Sequence, residues 1–193
     1  PSGGQVVTNN GTITAGSNVM DITGSGNVVI DWNSFNIAAN ETVNFKNMQA
    51  VLNYVSGGSK SEIFGKLNGA GVNVVLVNPN GILFGKTAQV NVGQLTASTR
   101  SLEKADLNSF NGSLSPLDAG GAANVKADII NLGKLKAGKL VLEGNNLSII
   151  DAESLEVADK SKITLRAGEN INIGYEVTDK TTINVGDGKG NTY

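Results

Sequence analysis

One internal echo constrains the fold more than any other feature of this chain. The stretch Leu140-Val-Leu-Glu-Gly-Asn-Asn-Leu-Ser-Ile149 returns as Ile163-Thr-Leu-Arg-Ala-Gly-Glu-Asn-Ile-Asn-Ile173, which sets Leu142 and Leu165 23 positions apart and Leu147 and Ile171 24 apart. A repeat of that length suits one coil of a parallel β-helix, in which each rung pairs with the rung above. Around it, short apolar-alternating runs closed by Gly or Asn recur: Val6-Val7, Thr12 to Thr14, Val19 to Ile22, Val28 to Trp32, Val72 to Val77, Ile82 to Phe84, Val90 to Val92 and Leu95 to Ala97. Further on come Val125 to Leu132, Lys134 to Lys136, Leu140 to Leu142, Leu147 to Ile150, Ile163 to Leu165, Ile171 to Ile173 and Ile183 to Val185. A β-sandwich also fits short strands, but it calls for hairpin turns about every 8–12 residues and gives no echo at solenoid spacing. Asn suits the solenoid too, because an inward Asn at a coil corner can hydrogen-bond to its equivalent on the next rung.

Composition agrees and removes several functions. Of 193 residues, 25 are Gly and only 17% are charged, which leaves no surface for many solvated helices. There is no His, hence no imidazole base or ligand, and no Cys, hence no thiol chemistry, thiolate metal site or disulfide. Net charge is −2, and Arg100 and Arg166 are the only arginines, so a basic stripe for nucleic acid is missing. No apolar run approaches the roughly 20 residues of a transmembrane helix, so membrane insertion is not expected. A chain opening on Pro1 reads as a processed or excised piece, and the lack of an end cap at Tyr193 suggests that the native chain continues.

Two segments break the rhythm. Residues 56–71 contain Ser59-x-x-Glu62, a weak capping box expected to start one helical turn. Residues 101–123 lack alternation and read as a loop or extra-helical excursion, which a solenoid tolerates because each coil contacts only its neighbours.

The sharpest local motif is Asn78-Pro79-Asn80-Gly81-Ile82. Pro79 presets φ, Asn78 can bond the backbone ahead of it, and Gly81 lets the chain leave the turn freely. On physical grounds alone this is a good β-helix corner between Val72–Val77 and Ile82–Phe84.

Other constellations carry less. Ser56-Gly57-Gly58-Ser59 reads as a plain flexible loop without a base for a serine nucleophile. Asp21, Asp31, Asp151 and Glu153 are the carboxylates a β-helix polysaccharide enzyme would need to bring together, but they are thinly scattered and read as solvated surface. Asp187-Gly-Lys-Gly-Asn191 places Lys189 where a calcium loop needs a ligand, so it reads as a turn. Gly24-Ser-Gly26 and Gly69-Ala-Gly71 do not extend into phosphate fingerprints. Trp32, Phe35 and Phe45 read as core or end-cap packing. No metal, cofactor or catalytic residue is expected.

Four runs in this order resemble a known family: Ile30-Asp-Trp-Asn-Ser-Phe-Asn-Ile37, Ala50-Val-Leu-Asn-Tyr-Val-Ser-Gly-Gly58, Ser61-Glu-Ile-Phe-Gly-Lys-Leu67 and Val74-Val-Leu-Val-Asn-Pro-Asn-Gly-Ile-Leu-Phe-Gly85. They are similar to the secretion domain of two-partner secretion exoproteins, the filamentous haemagglutinin-like adhesins of Gram-negative bacteria. Ala88-Gln-Val-Asn-Val-Gly93, Leu95-Thr-Ala-Ser-Thr99 and Ile130-Asn-Leu-Gly-Lys-Leu-Lys-Ala-Gly138 extend the resemblance over roughly residues 5–175. Many members carry a second Asn-Pro-Asn-Leu motif upstream. Val43-Asn-Phe-Lys-Asn-Met48 lacks it, which resembles the high-molecular-weight adhesin branch more than the haemolysin branch.

The resemblance implies an all-β, right-handed parallel β-helix with an N-terminal cap and small extra-helical β elements. It implies a non-enzymatic module that addresses a large exoprotein to an outer-membrane transporter through the transporter's periplasmic domains. It further implies a monomeric chain, passing through the periplasm to be secreted or held at the cell surface. Residues 1–193 then form a single secretion domain: about 1–60 for the cap and first coils, 61–100 for coils carrying the motif, 101–123 for the excursion, and 124–193 for further coils. Asn78, Pro79, Asn80, Gly81 and Ile82 are its candidate secretion motif, acting in recognition or in shaping the fold. Two rival functions stand beside it: a segment that itself binds host surface or glycan, which an exposed Trp32 or Tyr175 would favour, and the polysaccharide-active enzyme.

Overall fold

A computed structural model describes residues 1–115, 124–150 and 152–174. Their strands form one hydrogen-bonded system that winds as a parallel β-solenoid of about six coils, each with three faces. Two short strands cap the top: β1 (Gln5–Val6) lies antiparallel on the first coil, and β2 (Gly11–Ala15) makes an antiparallel pair there too. The first coil is β3 (Val19–Gly24), β4 (Asn27–Trp32) and a bridge at Ile37. The second is β5 (Thr42–Lys46), β6 (Ala50–Val55) and β7 (Ser61–Ile63), and the third is the long β8 (Lys66–Val77) followed by β9 (Ile82–Phe84). The fourth begins with β10 (Gln89–Ser98), leaves for an excursion carrying helix α1 (Lys104–Asn108), and resumes at β11 (Ile129–Asn131). The fifth is β12 (Lys134–Ala137) and β13 (Leu140–Ile149), and the sixth is β14 (Leu155–Val157) and β15 (Ile163–Ile173).

Register follows the echo. Leu142 pairs with Leu165 and Leu147 with Ile171, and a slip between Gly144 and Asn146 turns the spacing of 23 into 24. The inward columns are apolar from coil to coil apart from the buried Asn53, and they are fully covered until the last coil, where Ile163 is 40% exposed. Val28, Val51, Val74, Leu95, Leu140 and Ile163 stack in one line on the second face. Ile30, Asn53, Leu76, Ala97, Leu142 and Leu165 stack in the next. Fully burying each Val, Leu or Ile contributes about 1.5–3 kcal/mol, so every coil is stabilised mainly by the one beside it. Trp32 and Phe35 lie edge to face in this core with centroids 5.6 Å apart.

The outer side of the second face is also apolar. Val29, Leu52, Val75 and Val77 form a second cluster, covered by Leu102, Leu107, Phe110 and Leu114 of the excursion. Residues 101–115 thus fold back as a strap over the early coils. Its helix opens where Asp106 Oδ2 accepts the Glu103 amide at 2.7 Å.

Three sequence expectations change here. No helical turn starts at Ser59: Ser61–Ile63 is strand β7, because the Ser61 amide donates to Gly81 O at 3.0 Å and Ile63 is fully buried. Long-range pairing overrides the weak local cap. Residues 66–71 likewise belong to β8, with Gly71 at φ +75° relieving the bulge opposite Gly93. The run expected from Val125 to Leu132 narrows to Ile129–Asn131, with Val125 in a single antiparallel bridge to Arg100. The run expected at Ile183–Val185 lies outside the described residues.

Candidate functional site

The Asn78–Ile82 corner joins the second face of coil three to its third face. β8 ends where Pro79 can no longer donate to a ladder. The turn is then closed by two bonds: the Gly81 amide donates to Asn78 O at 3.1 Å, and the Asn80 amide donates to Asn78 Oδ1 at 2.9 Å. Gly81 has φ +112°, in the left-handed region, and a Cβ there would sit 3.3 Å from Asp128 O. The left-handed φ is what favours glycine, and the close carbonyl adds a tight contact for any larger residue.

Asn78 is fully buried, and its polar groups are all engaged. Its amide donates to Ser98 O of the next coil at 3.0 Å. Its Nδ2 reaches back to the previous coil, donating to Ser59 O at 3.0 Å and to the buried Ser61 Oγ at 2.9 Å. Asn80 is exposed, but its Nδ2 donates to Gly57 O at 2.8 Å and to Asn78 Oδ1 at 3.2 Å. Ile82 is buried and anchors the exit, its amide on Asp128 O at 3.1 Å. Pro79 is half-buried. The corner therefore bolts three consecutive coils together. The Ser56–Ser59 segment that reads as a plain loop is the surface it grips.

Asparagine elsewhere divides into two kinds. Inward Asn53 accepts from Trp32 Nε1 at 3.0 Å and donates to Val75 O, and inward Asn131 donates to Ser154 Oγ at 2.8 Å. Neither bonds an equivalent asparagine, because the register neighbours of Asn53 are Ile30 and Leu76. Amides at equivalent positions do bond one another outside the core: Asn68 donates to Asn44 at 3.0 Å and Asn170 to Asn146 at 3.0 Å, and Asn44 continues the first row to the Asp21 carboxylate at 2.8 Å. The ladder expected at inward corners is thus an outer-surface feature.

The remaining candidates do not converge. Asp21 lies on the first face, where the Lys46 ammonium and then the Asn44 amide hold its carboxyl below the usual range. Asp31 lies on the second face beside Tyr54. Glu153 lies at a 3-10 turn, Ala152–Ser154, while Asp151, Tyr175 and Asp187–Asn191 lie outside the described residues. Among the described residues no three Asp or Glu side chains gather as metal ligands. Trp32 is 1% exposed, which removes the aromatic surface that would have favoured a host-binding reading at that position.

Sequence reasoning missed one group. Glu143 is 2% exposed and accepts from Arg166 Nη1 at 3.0 Å and from Arg100 Nη2. Arg100 also donates to Ser115 O at 2.9 Å and to Ser98 Oγ at 3.2 Å, so the base of the strap is pinned to coils five and six. The signal was in the echo, where Glu143 falls opposite Arg166.

Comparison with known proteins meets this geometry. The TPS secretion domain family model matches residues 1–192. A heme/hemopexin-binding protein of Haemophilus influenzae is 34% identical over 176 residues, 88% of this chain, and another is 44% identical over 89 residues. The chain spans 19% and 10% of the length of those two curated relatives. The crystal structure of the HMW1 secretion domain from Haemophilus influenzae superposes with a TM-score of 0.58 at 25% identity, covering 90% of this chain and 55% of that one. A capped six-coil solenoid with its Asn-Pro-Asn-Gly-Ile corner, matched from end to end by one family model, belongs to the secretion domains of two-partner secretion exoproteins.

Proposed function

We propose that this domain is the address of its exoprotein: the periplasmic domains of a cognate outer-membrane β-barrel transporter recognise it, and it folds as a β-helix after export to the outer surface. The observation that carries this reading is the secretion-domain match over residues 1–192. Physical features support it. A chain without Cys holds no disulfide loop to obstruct threading. Extended strands with free edges can be received by β-augmentation. Once outside, the antiparallel cap supplies the first rung on which later coils add.

Within that reading, Asn78–Ile82 acts by shaping the fold, and the burial of Asn78 with all its polar groups engaged is what supports this. Asn78→Ala leaves the buried Ser61 Oγ without its partner, at about 1–3 kcal/mol, and removes the bonds to Ser59 O and the Asn80 amide, which lie on exposed residues open to water, at about 0.5–1.5 kcal/mol each. Asn80→Ala removes two side-chain bonds near the surface, to Gly57 O and to Asn78 Oδ1, each worth about 0.5–1.5 kcal/mol. The test fuses the domain to a reporter, co-expresses the transporter, and compares export with the circular dichroism of each purified variant. Asn78→Ala is expected to lose both folding and export, and Asn80→Ala to retain both. A folded Asn80→Ala variant that is not exported would make the corner a recognition element. A wild-type domain that is not exported would overturn the addressing role itself.

A further inference from the structure

The chain contains the dipeptide Asn-Gly four times, at Asn10-Gly11, Asn68-Gly69, Asn80-Gly81 and Asn111-Gly112. Asparagine before glycine is chemically vulnerable, because no Cβ shields the glycine nitrogen from the neighbouring side chain. In the reaction the glycine backbone nitrogen gives up its proton and bonds to the asparagine Cγ. The Cγ–Nδ2 bond breaks and ammonia leaves, closing a five-membered succinimide. Water then opens the ring at either carbonyl, to aspartate or to isoaspartate. No oxidant, metal or enzyme is needed, but the side chain must be free to swing over the next nitrogen.

Three of the four pairs are held against that motion. Asn10 Nδ2 donates to Ser25 O and to Asn27 O at 2.6 and 2.9 Å, and Gly11 is paired with Gly24 in β2. Asn68 lies inside β8, its Nδ2 on Asn44 and its strand paired on both sides. At Asn80 the Nδ2 is tied to Gly57 O and Asn78 Oδ1, and the attacking nitrogen of Gly81 already donates to Asn78 O. Asn111 differs. It is exposed on the strap just beyond α1, and its side chain has no hydrogen-bond partner among the described residues. We propose that Asn111 is a site of spontaneous deamidation in the folded protein, singled out from three chemically identical dipeptides by the hydrogen bonds they have and it lacks.

The consequence falls on the strap. Gly112 O accepts a hydrogen bond from Asn73 Nδ2, which ties the strap to the second face of coil three. Isoaspartate at 111 inserts one more carbon into the main chain immediately before Gly112 and displaces that acceptor. The modification thus loosens the cover over Val29, Leu52 and Val75 while leaving the solenoid ladders intact.

The test uses the whole domain, incubated at mildly alkaline pH with and without denaturing urea and then digested with trypsin. Peptide mass spectrometry follows the mass gain that marks replacement of NH2 by OH. Fragmentation localises the gain to Asn111 within residues 105–126, to Asn10 within residues 1–46, and to Asn68 or Asn80 within residues 67–86. In the folded domain Asn111 is expected to convert at least about tenfold faster than the other three, because theirs must wait for local opening. In urea all four are expected to convert at similar rates. If Asn111 in the folded domain is no faster than Asn80, or if the four already differ by that margin in urea, the assignment is overturned.

Discussion

Replacing Glu143 with alanine removes the one carboxylate shared by two arginines, and the two are not equally dependent on it. The Arg100 side chain is only 10% exposed, whereas that of Arg166 is 35% exposed and can turn to water. Stranding one member of a buried ion pair costs about 3–5 kcal/mol. Arg100 keeps its bonds to Ser98 Oγ and Ser115 O, so only its Nη2 is orphaned and the lower end, about 3 kcal/mol, is expected. The contribution from Arg166 should be that of a partly solvated pair, about 0–1 kcal/mol. Urea unfolding of the single and double variants, followed by circular dichroism, separates these terms. The Glu143–Arg100 coupling should exceed the Glu143–Arg166 coupling by more than about 1 kcal/mol, and Glu143→Leu combined with Arg100→Met should recover much of the loss. Stability of Glu143→Ala within about 0.5 kcal/mol of wild type, or equal couplings to both arginines, would refute the assignment of Arg100 as the dependent partner.

Two further outcomes follow from packing and titration. Gly57 and Gly58 are adjacent but opposite in tolerance: a Cβ at Gly57 would lie 1.9 Å from Asn33 O, whereas one at Gly58 meets nothing within 4 Å. Gly57→Ala should therefore lower the free energy of unfolding by more than about 2 kcal/mol, read as a lower urea midpoint, and Gly58→Ala should leave the midpoint unchanged. Tyr54 lies partly under the strap, and burial raises its phenol above the ordinary value. The folded state holds that proton more tightly than the unfolded one, so the stabilisation is intact below about pH 10 and is lost as pH rises through the folded value. Alkaline unfolding of Tyr54→Phe should lack that component.

What could be read from the sequence depended on whether a signal repeated. The echo between residues 140–149 and 163–173 named the paired residues Leu142 and Leu165 before any coordinate did, because a solenoid writes its register into its spacing. The Asn78 corner was legible as turn chemistry, yet its grip on Ser59 and Ser61 was not, since those partners belong to the previous coil. Strand β7 was hidden by a local capping pattern that long-range pairing defeats. The cover supplied by the strap was missed: Val28-Val29-Ile30 and Val74 to Val77 are unbroken apolar runs, not the alternating ones expected, and such runs are the mark of strands covered on both sides. What covers them, residues 101–115, is irregular apart from one five-residue helix and has no period to read.

Arg100 and Glu143 are separated by 43 residues, and Arg166 stands a further 23 beyond Glu143. Contacts of such separation cannot form until the intervening chain has been laid down. The strap, however, closes over Val29, Leu52 and Val75, which belong to the earliest coils. Any assembly that proceeds from the amino end therefore passes through a stage in which the first three coils are wound but their outer apolar stripe lacks a fastened cover. The keystone for the beginning of this solenoid is supplied by its later turns, so the cover over its first three coils is fastened only when Glu143 of the fifth arrives.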